Sequence, residues 1–390
     1  MATLTTETIE QRGDASHSVV VNGVANITGP IYIRSEQPTQ NAKDLDPNTP
    51  ECFPHLIFNQ VDEWLQDIED DRDEIPNKPP RRPVAAICCS NKSHRVFLQK
   101  DSSIYEARFE DGKLAKTEKL HVPNAKDHTQ LAAVMSHMSS EKVHLFYIAA
   151  QQGATEYTVR EICSPTVEDE SGGWSTGLLS AKAPRVSPYS ALAALSLPDS
   201  IMIFYQRGDW ICQLSYAFLN RKWEFKEVTR ALKGTSITVG SYATESGRKI
   251  HLYYQDQYGN ICERISDILF KWYKGALPEI KGSKYTPLHA IVWCVAHRHV
   301  RLYYVSDEGH VCELSLDRNW MQTPLNLSLA ASSARLVPMV PDNTTDISGV
   351  ECYDGREFRL FFTPASGTIS QMAFRGSKKV PTVKDVITIE

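Results

Sequence analysis

One pattern recurs six times along this chain and limits the folds it can adopt. Each copy is an alternating apolar and aromatic stretch, a short turn, and then an apolar–x–Glu or apolar–x–Gln triplet. The copies read HRVFLQKDSSIYE (94–106), VHLFYIAAQQGATEYTVRE (143–161), IMIFYQRGDWICQ (201–213), IHLYYQDQYGNICE (250–263), VRLYYVSDEGHVCE (300–313) and FRLFFTPASGTISQ (358–371). One equivalent position is filled in turn by Arg95, His144, Met202, His251, Arg301 and Arg359, at steps of 49, 58, 49, 50 and 58 residues. Alternation of period two is a strand signal. A long fixed period made only of strands means a propeller or a related array, in which each unit needs its neighbours to bury its faces.

The grammar of each unit extends the argument. A first strand of small and β-branched residues precedes each copy: Val84–Ile87, Leu131–Val134, Leu192–Leu195, Val239–Tyr242, Ala290–Trp293 and Ile347–Val350. Small side chains suit an innermost strand, where units crowd a central channel. The two halves of the copy supply strands two and three. A fourth strand starts near Trp174, Trp223, Trp272 or Trp320. Four antiparallel strands repeated six times predict an all-β fold, a six-bladed β-propeller over residues 83–390.

The first 82 residues stand outside this repeat. Residues 1–50 are a polar arm with one β-prone segment, His17–Ile33, in which Asn22-Gly23 can turn a hairpin and Pro30 argues against a central strand. It reads as an edge hairpin or loose arm, with a self-associating β segment as the rival. Over residues 51–75, Ile57, Phe58, Val61, Trp64, Leu65 and Ile68 form one apolar stripe at helical spacing. That amphipathic helix must dock, on the propeller or on a separate partner. Residues 76–83 form a proline-rich linker. The N-terminal region thus leaves room for homo-oligomerisation or a protein partner.

Composition excludes several functions. A net charge of −5 and a pI near 6.2 offer no basic field for nucleic acid. The longest apolar runs are too short to span a bilayer. The start, MATLTTETIEQRGD, lacks a secretory pattern, so the expected location is cytoplasmic, or outside the cell by release without a signal peptide. Nine cysteines lack CxxC spacing, and Cys212, Cys262 and Cys312 share one repeat position. They read as reduced, buried packing residues, with neither a metal site nor any cofactor implied.

The chemistry lies in the repeated polar positions. Arg95 with Glu106, and Arg301 with Glu313, stand on adjacent antiparallel strands across a tight turn, within cross-strand reach. A single such pair would be a plain salt bridge worth about 0–1 kcal/mol if exposed. Recurrence beside an aromatic suggests sugar binding. A guanidinium donates several fixed hydrogen bonds, a carboxylate accepts from hydroxyls, and an aromatic face covers the apolar side of a pyranose ring.

With these residues in place, the chain resembles the fungal fucose-specific lectins over about residues 83–390. The resemblance implies a six-bladed propeller that binds L-fucose of glycans between neighbouring blades, without metal. Arg and Glu would come from one blade and aromatics from the next. Carried over, it implies sites at Arg95, Glu106 and Trp174, and at Arg301, Glu313 and Phe374. Four more positions match less fully. His144 and Glu161 face Tyr216 and Trp223, and His251 and Glu263 face Trp320. Arg359 keeps the arginine but meets Gln371, with Phe109 as its aromatic, and Met202 with Gln213 departs from the pattern. Histidine lacks the guanidinium fork and carries charge only when protonated. The expected partners are fucosylated glycans or glycoproteins. The alternative is a protein-interaction propeller with decayed sugar sites. A glycosidase is disfavoured because each blade carries one repeat-linked acid rather than a converging pair.

Overall fold

The computed structural model describes residues 75, 82–90, 92–100, 102–136, 142–150, 156–166, 173–245, 247–267, 271–294, 298–306, 311–316, 320–324, 346–352, 357–362, 369–375 and 382–387. The expected polar arm, the amphipathic helix and most of the linker lie outside the described residues.

Six sheets follow one another along the chain. Blade one holds β1 (Val84–Cys88), β2 (Ser93–Lys100), β3 (Ser103–Glu110) and β4 (Lys113–Leu120). Blade two holds β5 (Leu131–Ser136), β6 (Lys142–Ala150), β7 (Tyr157–Thr166) and β8 (Ser175–Thr176), then the single helical turn α1 (Leu179–Lys182) and β9 (Arg185–Val186). Blade three holds β10 (Leu192–Ser196), β11 (Ser200–Arg207), β12 (Trp210–Ala217) and β13 (Lys222–Arg230). Blade four holds β14 (Thr238–Thr244), β15 (Gly247–Gln255), β16 (Asn260–Ser266), β17 (Trp272–Lys274) and β18 (Ile280–Lys281). Blade five holds β19 (Leu288–Cys294), β20 (Arg298–Val305), β21 (Val311–Leu316) and β22 (Trp320–Pro324). Blade six holds β23 (Ile347–Cys352), β24 (Glu357–Phe362), β25 (Ile369–Arg375) and β26 (Thr382–Ile387). Each blade is antiparallel, with strands paired in chain order.

The first strands touch one another in a closed circuit: β1 meets β5, then β10, β14, β19, β23 and β1 again. This is the innermost ring that the small residues predict. Gly240 shows why size matters there, since a Cβ would lie 2.5 Å from Cγ2 of Val292 on the next blade. The apolar core lies between blades. Phe97, Leu131, Leu145 and Ile162 join blades one and two, and Phe146, Ile203 and Leu214 join two and three. Blades six and one meet through Phe361, Phe109 and Val96. Burying one such side chain is worth roughly 2 kcal/mol, and the junctions from blade six through blade one to blade five each hold several.

Polar staples repeat as well. Gln99 donates to the Lys126 carbonyl and accepts from the Thr129 amide. Gln206 does the same with Leu232 and Gly234, and Gln255 with Ser283 and Thr286. One glutamine at the end of the second strand thus pins the connection into the next blade. It leaves that buried loop no unpaired polar groups at these points.

The outer strand departs from the expected grammar in blades two and four. In blade two β8 and β9 both pair with β7, and α1 bulges between them. In blade four β17 and β18 share β16 in the same way. The cause is the acid on the neighbouring strand. Glu161 Oε2 accepts the Leu179 amide at 2.8 Å, and Glu263 Oε2 accepts the Leu277 amide at 3.1 Å. These side chains draw the backbone out of the ladder.

Candidate functional site

Register sets what each blade presents to its neighbour. In blade one Arg95 pairs with Arg108, and Phe97 pairs with Glu106. All four side chains therefore share one face, the face that packs on blade two. The same square recurs: His144, Cys163, Phe146 and Glu161; Met202, Ser215, Phe204 and Gln213; His251, Ile265, Tyr253 and Glu263; Arg301, Ser315, Tyr303 and Glu313; Arg359, Ala373, Phe361 and Gln371. The Arg/His position and the acid are thus diagonal neighbours, and an aromatic stands directly opposite each acid.

In blade one Arg95 Nη1 donates to Glu106 Oε1 at 3.0 Å, and Arg108 Nη2 donates to Oε2 at 3.1 Å. The Glu106 side chain is 0% exposed and Arg95 is 9% exposed. The buried carboxylate therefore neutralises two guanidiniums, of which Arg95 is itself buried and Arg108, at 21% exposure, is the more open. Arg108 is a site residue that the sequence pattern does not mark, because the equivalent position holds a different residue type in every other blade and only the strand register places it beside Arg95. Trp174 of blade two meets Phe97 edge-on, with centroids 5.7 Å apart and planes at 89°. Its buried Nε1 has no acceptor among the described residues.

Blade three shows where that indole points. Trp272 meets Phe204 edge-on at 5.9 Å and 89°, and its Nε1 donates to Gln213 Oε1 at 3.0 Å. A tryptophan of the following blade thus reaches the acid position of the preceding one. Gln213 also donates to Ser215 Oγ at 2.8 Å and contacts Met202 Sδ at 3.7 Å, so this square is closed on itself.

Blade five is more open. Arg301 Nη1 donates to Glu313 Oε1 at 2.5 Å, and the Arg301 side chain is 31% exposed. Its guanidinium lies 5.7 Å above the Phe358 ring of blade six, a cation–π contact that orients the fork. Burial, with Glu313 alongside, holds the Tyr303 hydroxyl well above the usual tyrosine range. Phe374 lies on β25 and Trp320 on β22, but their side chains fall outside the described residues.

The histidine blades are built differently. His144 Nδ1 meets Glu161 Oε1 at 2.6 Å, and His251 Nδ1 meets Glu263 Oε1 at 2.8 Å. Tyr253 also donates to Glu263 Oε1 at 2.8 Å, and His251 and Glu263 are both 0% exposed. Gly177 and Gly275 make room for the acids, since a Cβ would lie 2.2 Å and 2.1 Å from the respective carboxylates. The shared signal, legible in retrospect, is Trp-x-x-Gly-x-Leu: Trp174 to Leu179 and Trp272 to Leu277. Tyr216 and Trp223 pair in register with ring centroids 4.8 Å apart, and Trp223 packs on the cluster that holds Phe146.

Arg359 is buried against blade one, with its guanidinium over Gly112. Phe109, expected as a sugar-stacking face there, is 0% exposed and stacks instead on His94, at 4.6 Å and 6°. Burial, and then the nearby Arg359 charge, lower the His94 pKa to about 3. Among the described residues, one group has the donor types for a metal: His144, Glu161 and Cys163. Burial raises the Cys163 thiol pKa, with Glu161 adding to the effect. Burial likewise raises the thiols of Cys212, to about 12, and Cys262, to about 11, which fits packing roles.

Similarity to known proteins converges on one family. Residues 80–339 match the sequence profile described as fungal fucose-specific lectin. A fucose-specific lectin of Aspergillus fumigatus is 25% identical over 247 residues, covering 61% of this chain and 75% of that protein. The solved structure of AofleA from Arthrobotrys oligospora superposes with a TM-score of 0.65 at 20% identity, covering 78% of this chain and 87% of that one. The six-bladed Aleuria aurantia lectin superposes at 0.61 and 20% identity, covering 78% and 95%. With the profile spanning more than half of its length and the propeller shared, the chain belongs to the fungal fucose-specific lectin family.

Proposed function

We propose that this protein binds L-fucose of glycans at two inter-blade pockets, one built on Arg95 and Glu106 with Trp174, the other on Arg301 and Glu313 with blade six. The observation that carries the reading is the buried Trp174 Nε1–H. It has no acceptor among the described residues, while its counterpart Trp272 is occupied by Gln213. A buried donor without an acceptor costs about 1–3 kcal/mol, which a sugar hydroxyl would recover once binding shifts the side chains that enclose the indole nitrogen. Arg95 and Arg108 supply further donors, and Glu106 fixes their orientation. In blade five the exposed Arg301 fork does the same work, with Glu313 as the acceptor for a hydroxyl. Binding needs no metal at these two pockets, because arginine, carboxylate and aromatic supply every contact. The protein acts by binding and catalyses no reaction.

A second reading applies to blades two, three and four. Their acids or amides are already engaged by protein donors, Glu263 by His251, Tyr253 and Leu277 of its own blade and Gln213 by Trp272 of the next. These squares complete the ring as an interaction scaffold would. A glycan array separates the two readings. Signal confined to fucosylated glycans supports the lectin, and uniformly blank wells overturn it.

A further inference from the structure

We infer that blade two carries a site for a zinc-class divalent cation, built from His144 Nδ1, Glu161 Oε1 and Cys163 Sγ. The inference is independent of sugar binding in blades one and five. Cys163 Sγ lies 3.4 Å from His144 Nδ1 and 3.5 Å from Glu161 Oε1. Ligand bonds of about 2.0–2.3 Å in a tetrahedron place donor atoms roughly 3.3–3.6 Å apart. Two of the three edges already have that length. The third, 2.6 Å between Nδ1 and Oε1, is short because the two atoms share a hydrogen. A cation replaces that hydrogen, which passes to Nε2 as the ring changes tautomer, and opens the edge by on the order of 0.7 Å.

The surrounding shell suits ligation. His144 Nε2 lies 3.2 Å from Ser136 Oγ, so the ring can bind metal through Nδ1 while its Nε2–H donates to the hydroxyl. Glu161 Oε2 is held by the Leu179 amide at 2.8 Å, which leaves Oε1 for the ion. Such outer partners orient ligands and fix the tautomer. Charge balances too. The Cys163 thiol gives its proton to solvent, and thiolate plus carboxylate neutralise a divalent ion in a largely buried site. Sulfur and imidazole favour zinc or cobalt over calcium or magnesium. The fourth position is left for water, on the side where His144 is 14% exposed.

The other blades serve as internal controls. Blade four repeats the histidine and glutamate, but the residue paired with His251 is Ile265. The equivalent of Cys163 is Arg108 in blade one and Ser315 in blade five. One blade of six has the thiol, and it is one that has exchanged arginine for a neutral ligand. A rival thiol site is the adjacent pair Cys88 and Cys89, both half-buried.

The test is titration of the full-length, metal-stripped, reduced protein with Co²⁺, followed by displacement with Zn²⁺. The expected result is one equivalent with a thiolate-to-cobalt charge-transfer band and tetrahedral visible bands. Cys163→Ser should abolish the charge-transfer band, and His144→Gln should weaken Zn²⁺ binding at least tenfold. His251→Gln and the Cys88→Ser/Cys89→Ser double variant should keep both. Zn²⁺ should also raise the melting temperature of the unsubstituted protein, a readout that needs no variant to fold. No thiolate band at one equivalent, a band that survives Cys163→Ser, or one lost with Cys88 and Cys89 would overturn the assignment.

Discussion

Glu106 lies beneath two arginines of its own blade, so its first role is to make that positive pair tolerable in a buried position. Glu106→Gln should therefore destabilise the fold by about 3 kcal/mol, the scale of breaking a buried ion pair. Urea denaturation checks this; a change below 1 kcal/mol would show that the arginines do not depend on the acid. His94 gives a pH prediction. Its folded-state pKa is about 3 against an ordinary value of 6.5, because burial and Arg359 disfavour the charged ring. The unfolded chain thus binds the extra proton first. His94 leaves stability untouched above pH 6.5 and costs up to about 1.4 kcal/mol per pH unit below it. His289, lowered by burial to about 4, acts in the same direction. His94→Phe keeps a ring against Phe109 and should flatten the loss of stability between pH 7.5 and 5.5 by about 1 kcal/mol. An unchanged slope would assign the acid sensitivity to other groups.

At the scale of the element, the strands were legible and the interruptions were not. Period-two alternation placed all the second and third strands, because each must bury a face on the next blade. The breaks in the outer strands of blades two and four follow from Glu161 and Glu263 capturing backbone amides, a side-chain event that alternation does not encode. Two residues could have signalled it, Gly177 and Gly275, recurring three places after a tryptophan. Gly275→Ala should cost about 2 kcal/mol or more, since the new Cβ would lie 2.1 Å from Glu263 Oε2 and a packed site cannot absorb it cheaply. Gly173→Ala, with nothing within 4 Å, is the control and should be near neutral. Equal melting temperatures for the two variants would contradict this account of the break. The candidate site was legible in part for the same reason. Arg95 and Glu106 stand out by spacing. Arg108 needed the register, and the burial of Phe109 under His94 needed the fold.

Over the whole molecule, the ring closes among the described residues without exchanging a strand: the strands of blade one and of blade six each follow one another in chain order. Beside the apolar contacts, closure uses two side chains at the start of blade six: Ser348 Oγ on β23 accepts the Ala86 amide at 2.9 Å, and Asp346 Oδ2, just before β23, accepts the Val84 amide at 3.4 Å. The same device joins blades four and five, where Thr238 Oγ1 accepts the Ala290 amide at 2.9 Å and Ser236 Oγ accepts the Leu288 amide at 3.1 Å. Ser348→Ala and Thr238→Val should therefore cost similar amounts, about 1 kcal/mol each. A negligible cost for Ser348→Ala alone would place closure elsewhere. A closed ring would also present the two proposed pockets together, so that their combined binding to a multivalent glycan surface should exceed that of either alone. The most direct measurement is calorimetric titration of the protein with methyl α-L-fucoside, beside the Arg95→Ala/Arg301→Ala double variant. The account predicts about two sites per chain, unaffected by EDTA, with binding lost in the double variant. Saturable fucoside binding of unchanged affinity and stoichiometry in that variant, or none in the unsubstituted protein, would contradict it.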